Sequence, residues 1–160
     1  MHTPVTFTTV PADFRGSDKA RDILAKLLQF IDSAILPLEQ AKGLRWGDAV
    51  DHDLLQTVWK MSAEQGFYTL LLPEDLGGAG LSTYDICAVK EAVIGSGAIL
   101  APHVLGELSG PPRIGHLFKY ASEHQIEQFL RPVCSADKAV CFALTEAEAG
   151  SDAAAIQTSA

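Results

Sequence analysis

Two short runs late in the sequence, Thr145-Glu146 and Gly150-Ser151-Asp152, bring hydroxyls, carboxylates and a glycine backbone close together along the chain. The apolar run Ala139-Val140-Cys141-Phe142-Ala143-Leu144 leads into them and reads as a buried strand, with a polar, glycine-bearing turn after it. Gly150 and Ser151 can bring backbone N–H groups and one hydroxyl near an anion, which suits phosphate or pyrophosphate. Thr145, at the strand's exit, can offer a directional hydrogen bond to the edge of a heterocycle. Turns of this composition also simply cap structure, so spacing alone leaves the ligand site and the capping turn both open.

Other chemistry is thinner. The three cysteines, Cys87, Cys134 and Cys141, form no C-x-x-C pair, and each is expected to be a small buried apolar residue. The five histidines show no spacing that would set two ligands on one helix face, so no metal site is expected. With 12 Lys plus Arg against 20 Asp plus Glu, the chain carries a net charge of −8 and no basic cluster, which argues against a nucleic-acid partner. No apolar stretch is long enough to span a membrane, and residues 1–16 lack the apolar core of a secretory signal. A soluble cytoplasmic protein is the expectation. Apolar residues at 48% and charged residues at 20% of the 160 are near globular averages and rule out disorder as the main state.

The elements that must position the late turn are helical. Ile23, Leu24, Leu27, Leu28, Ile31, Ala34, Ile35 and Leu38 recur at helical spacing and predict an amphipathic helix over 18–40, kinked or ended by Pro37. A second helix is expected over 51–65, stopped at Gly66, whose backbone there must be left-handed. Ser82 with Asp85 reads as the cap of a third, over 83–96, with Ile86, Val89, Lys90, Val93 and Ile94 on or near one face. A fourth helical stretch opens at Leu100-Ala101-Pro102, breaks at Gly110-Pro111-Pro112 and resumes through Ile114, Leu117, Phe118 and Tyr120. Ser122-Glu123-His124-Gln125 is a capping box for a last helix, stopped by Pro132. The expected fold is mainly α, a helical domain over 1–137, followed over 138–160 by the first strand and turn of a truncated β domain.

The late segment resembles the first signature of the flavin-dependent acyl-CoA dehydrogenase family. Ala143, Leu144, Thr145, Glu146, Ala149, Gly150, Ser151, Asp152 and Ala155 meet each constrained position of that signature. Upstream, Gly66-Phe67 and Leu72-Pro73-Glu74-Asp75-Leu76-Gly77-Gly78-Ala79-Gly80 look like the family's loop between its second and third helical segments. Ala147 stands where relatives often carry proline, which loosens the turn without removing a functional group.

The resemblance implies an N-terminal helical domain and the opening of a middle β domain, in a family whose members also carry a C-terminal bundle. It implies FAD as cofactor, with Phe142, Leu144 and Thr145 toward the isoalloxazine and Gly150 and Ser151 toward the pyrophosphate. Ser151 also matches a position that contacts acyl-CoA, and Val104, Leu105 and Leu108 are candidates for acyl-chain contacts, with ordinary core packing as their alternative. The implied reaction is α,β-desaturation of an acyl-CoA thioester, with electron-transfer flavoprotein or a similar acceptor as partner and an oligomer as the assembly. The family's catalytic base comes from its C-terminal bundle, so no catalytic residue is expected in these 160 residues. Glu146 reads as structural, bonding around the turn. Residues 156–160 end without a cap or charged tail, which reads as a truncated dehydrogenase, inactive alone. The alternative is a short helical subunit that complements a separate dehydrogenase-like chain; acyl-CoA oxidases and flavin monooxygenases are fold relatives that the full signature disfavours.

Overall fold

The computed structural model describes residues 9–106, 112–141 and 143–159. Helix α1 (Asp18–Phe30) starts at Ser17, whose side chain accepts from Ala20 N–H, and continues through a π turn (Ile31–Ile35) into α2 (Leu36–Lys42). Helix α3 (His52–Glu64) is capped by Asp51, and α4 (Thr83–Gly95) by Ser82. Four short helices follow: α5 (Ala101–Val104), α6 (Gly115–Phe118), α7 (Glu123–Gln125) and, after a second π turn (Ile126–Leu130), α8 (Arg131–Cys134). Both halves of the predicted capping box at Ser122 and Gln125 are present, and Gly66 has the expected left-handed φ of 77°.

The main core follows the stripe on the first helix. Leu24, Leu27, Leu28, Ile31 and Ile35 are buried with Val58 of α3, Ile86, Val89 and Val93 of α4, and Leu100, Ala101, Val104 and Leu105. Full burial of each such large side chain contributes about 1.5–3 kcal/mol. Helix α1 packs on α4, and α5 packs against both α3 and α4. A second cluster joins Leu72 and Ile114 to Leu130 and Val133, and a third joins Trp59 and Tyr68 to Ala136.

Neither proline ends its helix. The helix runs through Pro37 to Lys42, and the last helix runs through Pro132 to Cys134. A proline lacks the N–H that would bond four residues back, and its ring crowds that carbonyl. In both cases a π turn ends two residues earlier, with Leu36 N–H reaching back to Ile31 O and Arg131 N–H to Ile126 O. The widened turn makes room for the ring. The carbonyl that Pro132 cannot serve, Gln128 O, accepts instead from Lys138 Nζ at 2.8 Å.

Three further expectations are corrected. Among the described residues there is no strand. Residues 139–141 and 143–144 form no regular element and no ladder, with Val140 51% and Leu144 44% exposed. A strand needs a ladder partner and a layer to bury its face, and the described residues supply neither. On α4 the buried set is Asp85, Ile86, Val89, Ala92 and Val93, while Ile94 is 46% exposed. That helix is apolar nearly all round, so periodicity could not tell its faces apart. For the same reason Cys87 is exposed, as is Cys141 on the unpaired segment; Cys134 is half-buried.

Candidate functional site

The turn after Leu144 is built by Glu146. Its backbone N–H donates to Ala149 O at 3.0 Å, and Ala149 is buried. The Glu146 carboxylate accepts from Gln157 N–H at 3.0 Å, from Thr158 N–H at 2.8 Å and from the Thr158 hydroxyl. These bonds, the Thr158 hydroxyl first, hold its carboxyl below the usual range. Both oxygens are engaged by the chain itself, which is the structural role expected for Glu146. Asp152 is engaged too, accepting from Ala154 N–H at 3.2 Å.

Neutral donors remain. Thr145, Gly150 and Ser151 are exposed, and no described residue bonds either hydroxyl. A Cβ built on Gly150 would meet nothing within 4 Å. Glu146 and Asp152 are tied to the chain itself, Glu148 is exposed on the same turn, and the two open hydroxyls are the donors that an anionic group there could use. Of the expected flavin contacts, Leu144, Thr145, Gly150 and Ser151 lie together on it, and Phe142 lies outside the described residues.

The residues expected at an acyl chain are elsewhere. Val104 and Leu105, at the end of α5, are 0% exposed and belong to the main core, so neither touches a ligand in this conformation. Leu108 lies outside the described residues. The half-buried residues of α5 are Pro102 and His103. A groove of about 590 Å³ lined by Phe14, Arg15, Tyr84, Cys87 and Glu91 shares no residue with either group.

Sequence reasoning missed the side chains that hold α5. Glu39 of α2 accepts from Leu100 N–H at 2.7 Å. Burial pushes its carboxyl above the usual range, against the opposing effect of bonds from the Leu100 and Ile99 N–H groups. From α3, Ser62 Oγ donates to Val104 O, and Trp59 Nε1 donates to Gly106 O at 3.1 Å. One signal was available: Glu39 continues the buried stripe four residues beyond Ile35, an acid where an apolar residue belongs.

Comparison with known proteins matches residues 17–137 to a family described as acyl-CoA dehydrogenase, N-terminal domain. Caffeyl-CoA reductase-Etf complex subunit CarC of Acetobacterium woodii is 35% identical over 107 residues, 66% of this chain and 27% of its own. The mitochondrial short-chain specific acyl-CoA dehydrogenase of Sus scrofa is 32% identical over 110 residues, 69% of this chain and 26% of its own. Benzylmalonyl-CoA dehydrogenase of Aromatoleum aromaticum is 30% identical over 149 residues, 92% of this chain and 37% of its own. The chain thus spans between about a quarter and somewhat over a third of these relatives' lengths. No solved structure matches.

Proposed function

The chain belongs to the acyl-CoA dehydrogenase family, and from that premise we propose that it is the N-terminal part of an FAD-dependent enzyme that desaturates an acyl-CoA thioester between Cα and Cβ. Residues 1–137 form its helical domain and 138–160 open its β domain. The observation that supports a cofactor role is the Glu146 turn, where Thr145, Gly150 and Ser151 stay open while Glu146 and Asp152 are bonded internally.

In this reading Thr145 and the Leu144 backbone, with Phe142, orient the flavin's pyrimidine edge, and Gly150 and Ser151 hold the pyrophosphate through N–H and hydroxyl donors. Ser151 also meets the acyl-CoA. FAD, when bound, supplies the acceptor for the β-hydride as the α-proton leaves to a carboxylate base. Glu146 is not that base, because its oxygens already accept from Gln157 and Thr158. With a net charge of −8, the chain gains no general attraction for these anions, so local donors must recognise them. Val104 and Leu105 back the acyl-chain wall from within the core; Leu108, which lies outside the described residues, is the third residue assigned to that chain. Electrons then pass to electron-transfer flavoprotein or a similar acceptor.

The test is Ser151→Ala in the dehydrogenase. FAD retention or acyl-CoA affinity should weaken by about 1–2 kcal/mol, the loss of one charge-assisted hydrogen bond. No change in either quantity removes Ser151 from the site.

A further inference from the structure

Between α8 and the irregular segment that begins at Ala139 lie residues 135–138. Where a chain passes out of a packed unit it ordinarily runs through an exposed linker with few contacts. Here the chain is tied back at each step. Ala136 has a φ of 59°, the one positive φ outside glycine among the described residues. It closes the end of α8, where the N–H groups of Asp137 and Lys138 both donate to Pro132 O, at 2.8 and 2.9 Å. Glycine is the usual residue in such a position, because a Cβ crowds the backbone there. Alanine bears that cost, and it is buried at 4% exposure in the cluster of Trp59 and Tyr68. The Asp137 carboxylate pairs with Lys60 Nζ at 3.1 Å, one residue along α3 from Trp59, and accepts from the Ser135 hydroxyl at 2.6 Å. Lys138 Nζ donates to Gln128 O at 2.8 Å and stands over the Phe129 ring, 5.2 Å from its centroid. An exposed ion pair alone holds little. These ties act on three successive residues and from two sides, α3 and the second π turn.

We propose that residues 135–138 are a rigid joint and not a linker. Ala136, held left-handed against Trp59 and Tyr68, sets the direction in which the chain leaves the helices, and Asp137 and Lys138 keep it there. Residues 139–141 then depart at a fixed bearing to α3 and α4. This goes beyond the FAD reading and does not depend on it. Two exposed native cysteines report on the joint, Cys87 on α4 and Cys141 just past it. With Cys134→Ala removing the third thiol, spin labels on those two give the distance across the joint by pulsed electron resonance. The parent should show one narrow distance. Ala136→Gly adopts the same φ freely and should keep the parent's mean. Ala136→Pro fixes φ near about −65°, which turns the chain the other way. With each residue from 136 to 141 spanning up to roughly 3.3 Å, the mean should move by about 5 Å or more. If Ala136→Pro also unravels α8, Asp137→Ala combined with Lys138→Ala leaves the backbone alone and should broaden the distribution while the unfolding midpoint stays near the parent's. A parent distribution as broad as that of a free linker overturns the joint. So does a folded Ala136→Pro variant, or the double variant, whose distribution superimposes on the parent's.

Discussion

The Asp85 carboxylate on α4 accepts from the backbone N–H of Ser17, the N-cap of α1, at 2.8 Å. Its other oxygen accepts from the hydroxyl of Ser82, the N-cap of α4 itself, at 2.8 Å. One anion thus lies where two helices begin, the end of a helix that favours negative charge. The Ser17 N–H, first among several bonds, holds the Asp85 carboxyl below its usual range despite burial.

Asp85→Ala should therefore cost about 1.5–3 kcal/mol at neutral pH, the range for hydrogen bonds to a charged group. A depressed carboxyl contributes stability above its unfolded pKa, about 3.9, and loses it as pH falls through the lower folded value. Urea unfolding of parent and variant should show a gap that is full at neutral pH and shrinks only below about pH 4.

Glu39 works in the opposite sense. Burial raises its carboxyl, so its contribution is greatest below the unfolded pKa of about 4.3 and is lost as pH rises through the folded value. Glu39→Gln does not titrate. Its stability relative to the parent should rise from acid to neutral pH, and a constant difference across that range would mean that the carboxylate is not strained by burial.

Two glycines separate packing from binding. A Cβ on Gly78 would stand 2.0 Å from the Leu72 carbonyl oxygen, in the loop where Gly80 N–H already bonds that oxygen at 2.7 Å. Gly78→Ala should cost about 2 kcal/mol or more, since backbone must move. Gly150→Ala meets nothing within 4 Å. It should leave the unfolding midpoint unchanged and, on the FAD-binding reading proposed above, still reduce FAD retention, because the added methyl would stand where that reading puts the pyrophosphate.

Glu146→Ala removes the acceptor for Gln157 N–H, Thr158 N–H and the Thr158 hydroxyl together. Amide exchange at residues 157 and 158 should speed up while that of α1 and α4 stays as it was. On the dehydrogenase reading proposed above, the pH dependence of turnover should keep the shape of the parent's, which a catalytic base at this position would not allow.

The helices were legible because their signals are local. Apolar spacing from Ile23 to Leu38 and the caps at Ser82 and Ser122 lie within a few residues of what they determine. The passage through Pro37 and Pro132 was not, because it depends on a π turn, a geometry without a residue code. Nor was the partner of Glu39, because Leu100 lies 61 positions away, although the stripe from Ile35 already marked position 39 as buried. At the candidate site, the bonding role of Glu146 was legible from its place in the turn. The unpaired state of residues 139–141 and 143–144 was not, since strand propensity carries no information about whether a partner is present.

The most direct measurement is anaerobic addition of saturated acyl-CoA thioesters to the purified protein while visible flavin absorbance is followed. Protein that retains FAD and whose oxidised-flavin band bleaches as an enoyl-CoA forms is the predicted result. Protein that holds no FAD, or whose flavin stays oxidised with every straight-chain, branched and aryl thioester, would contradict the account.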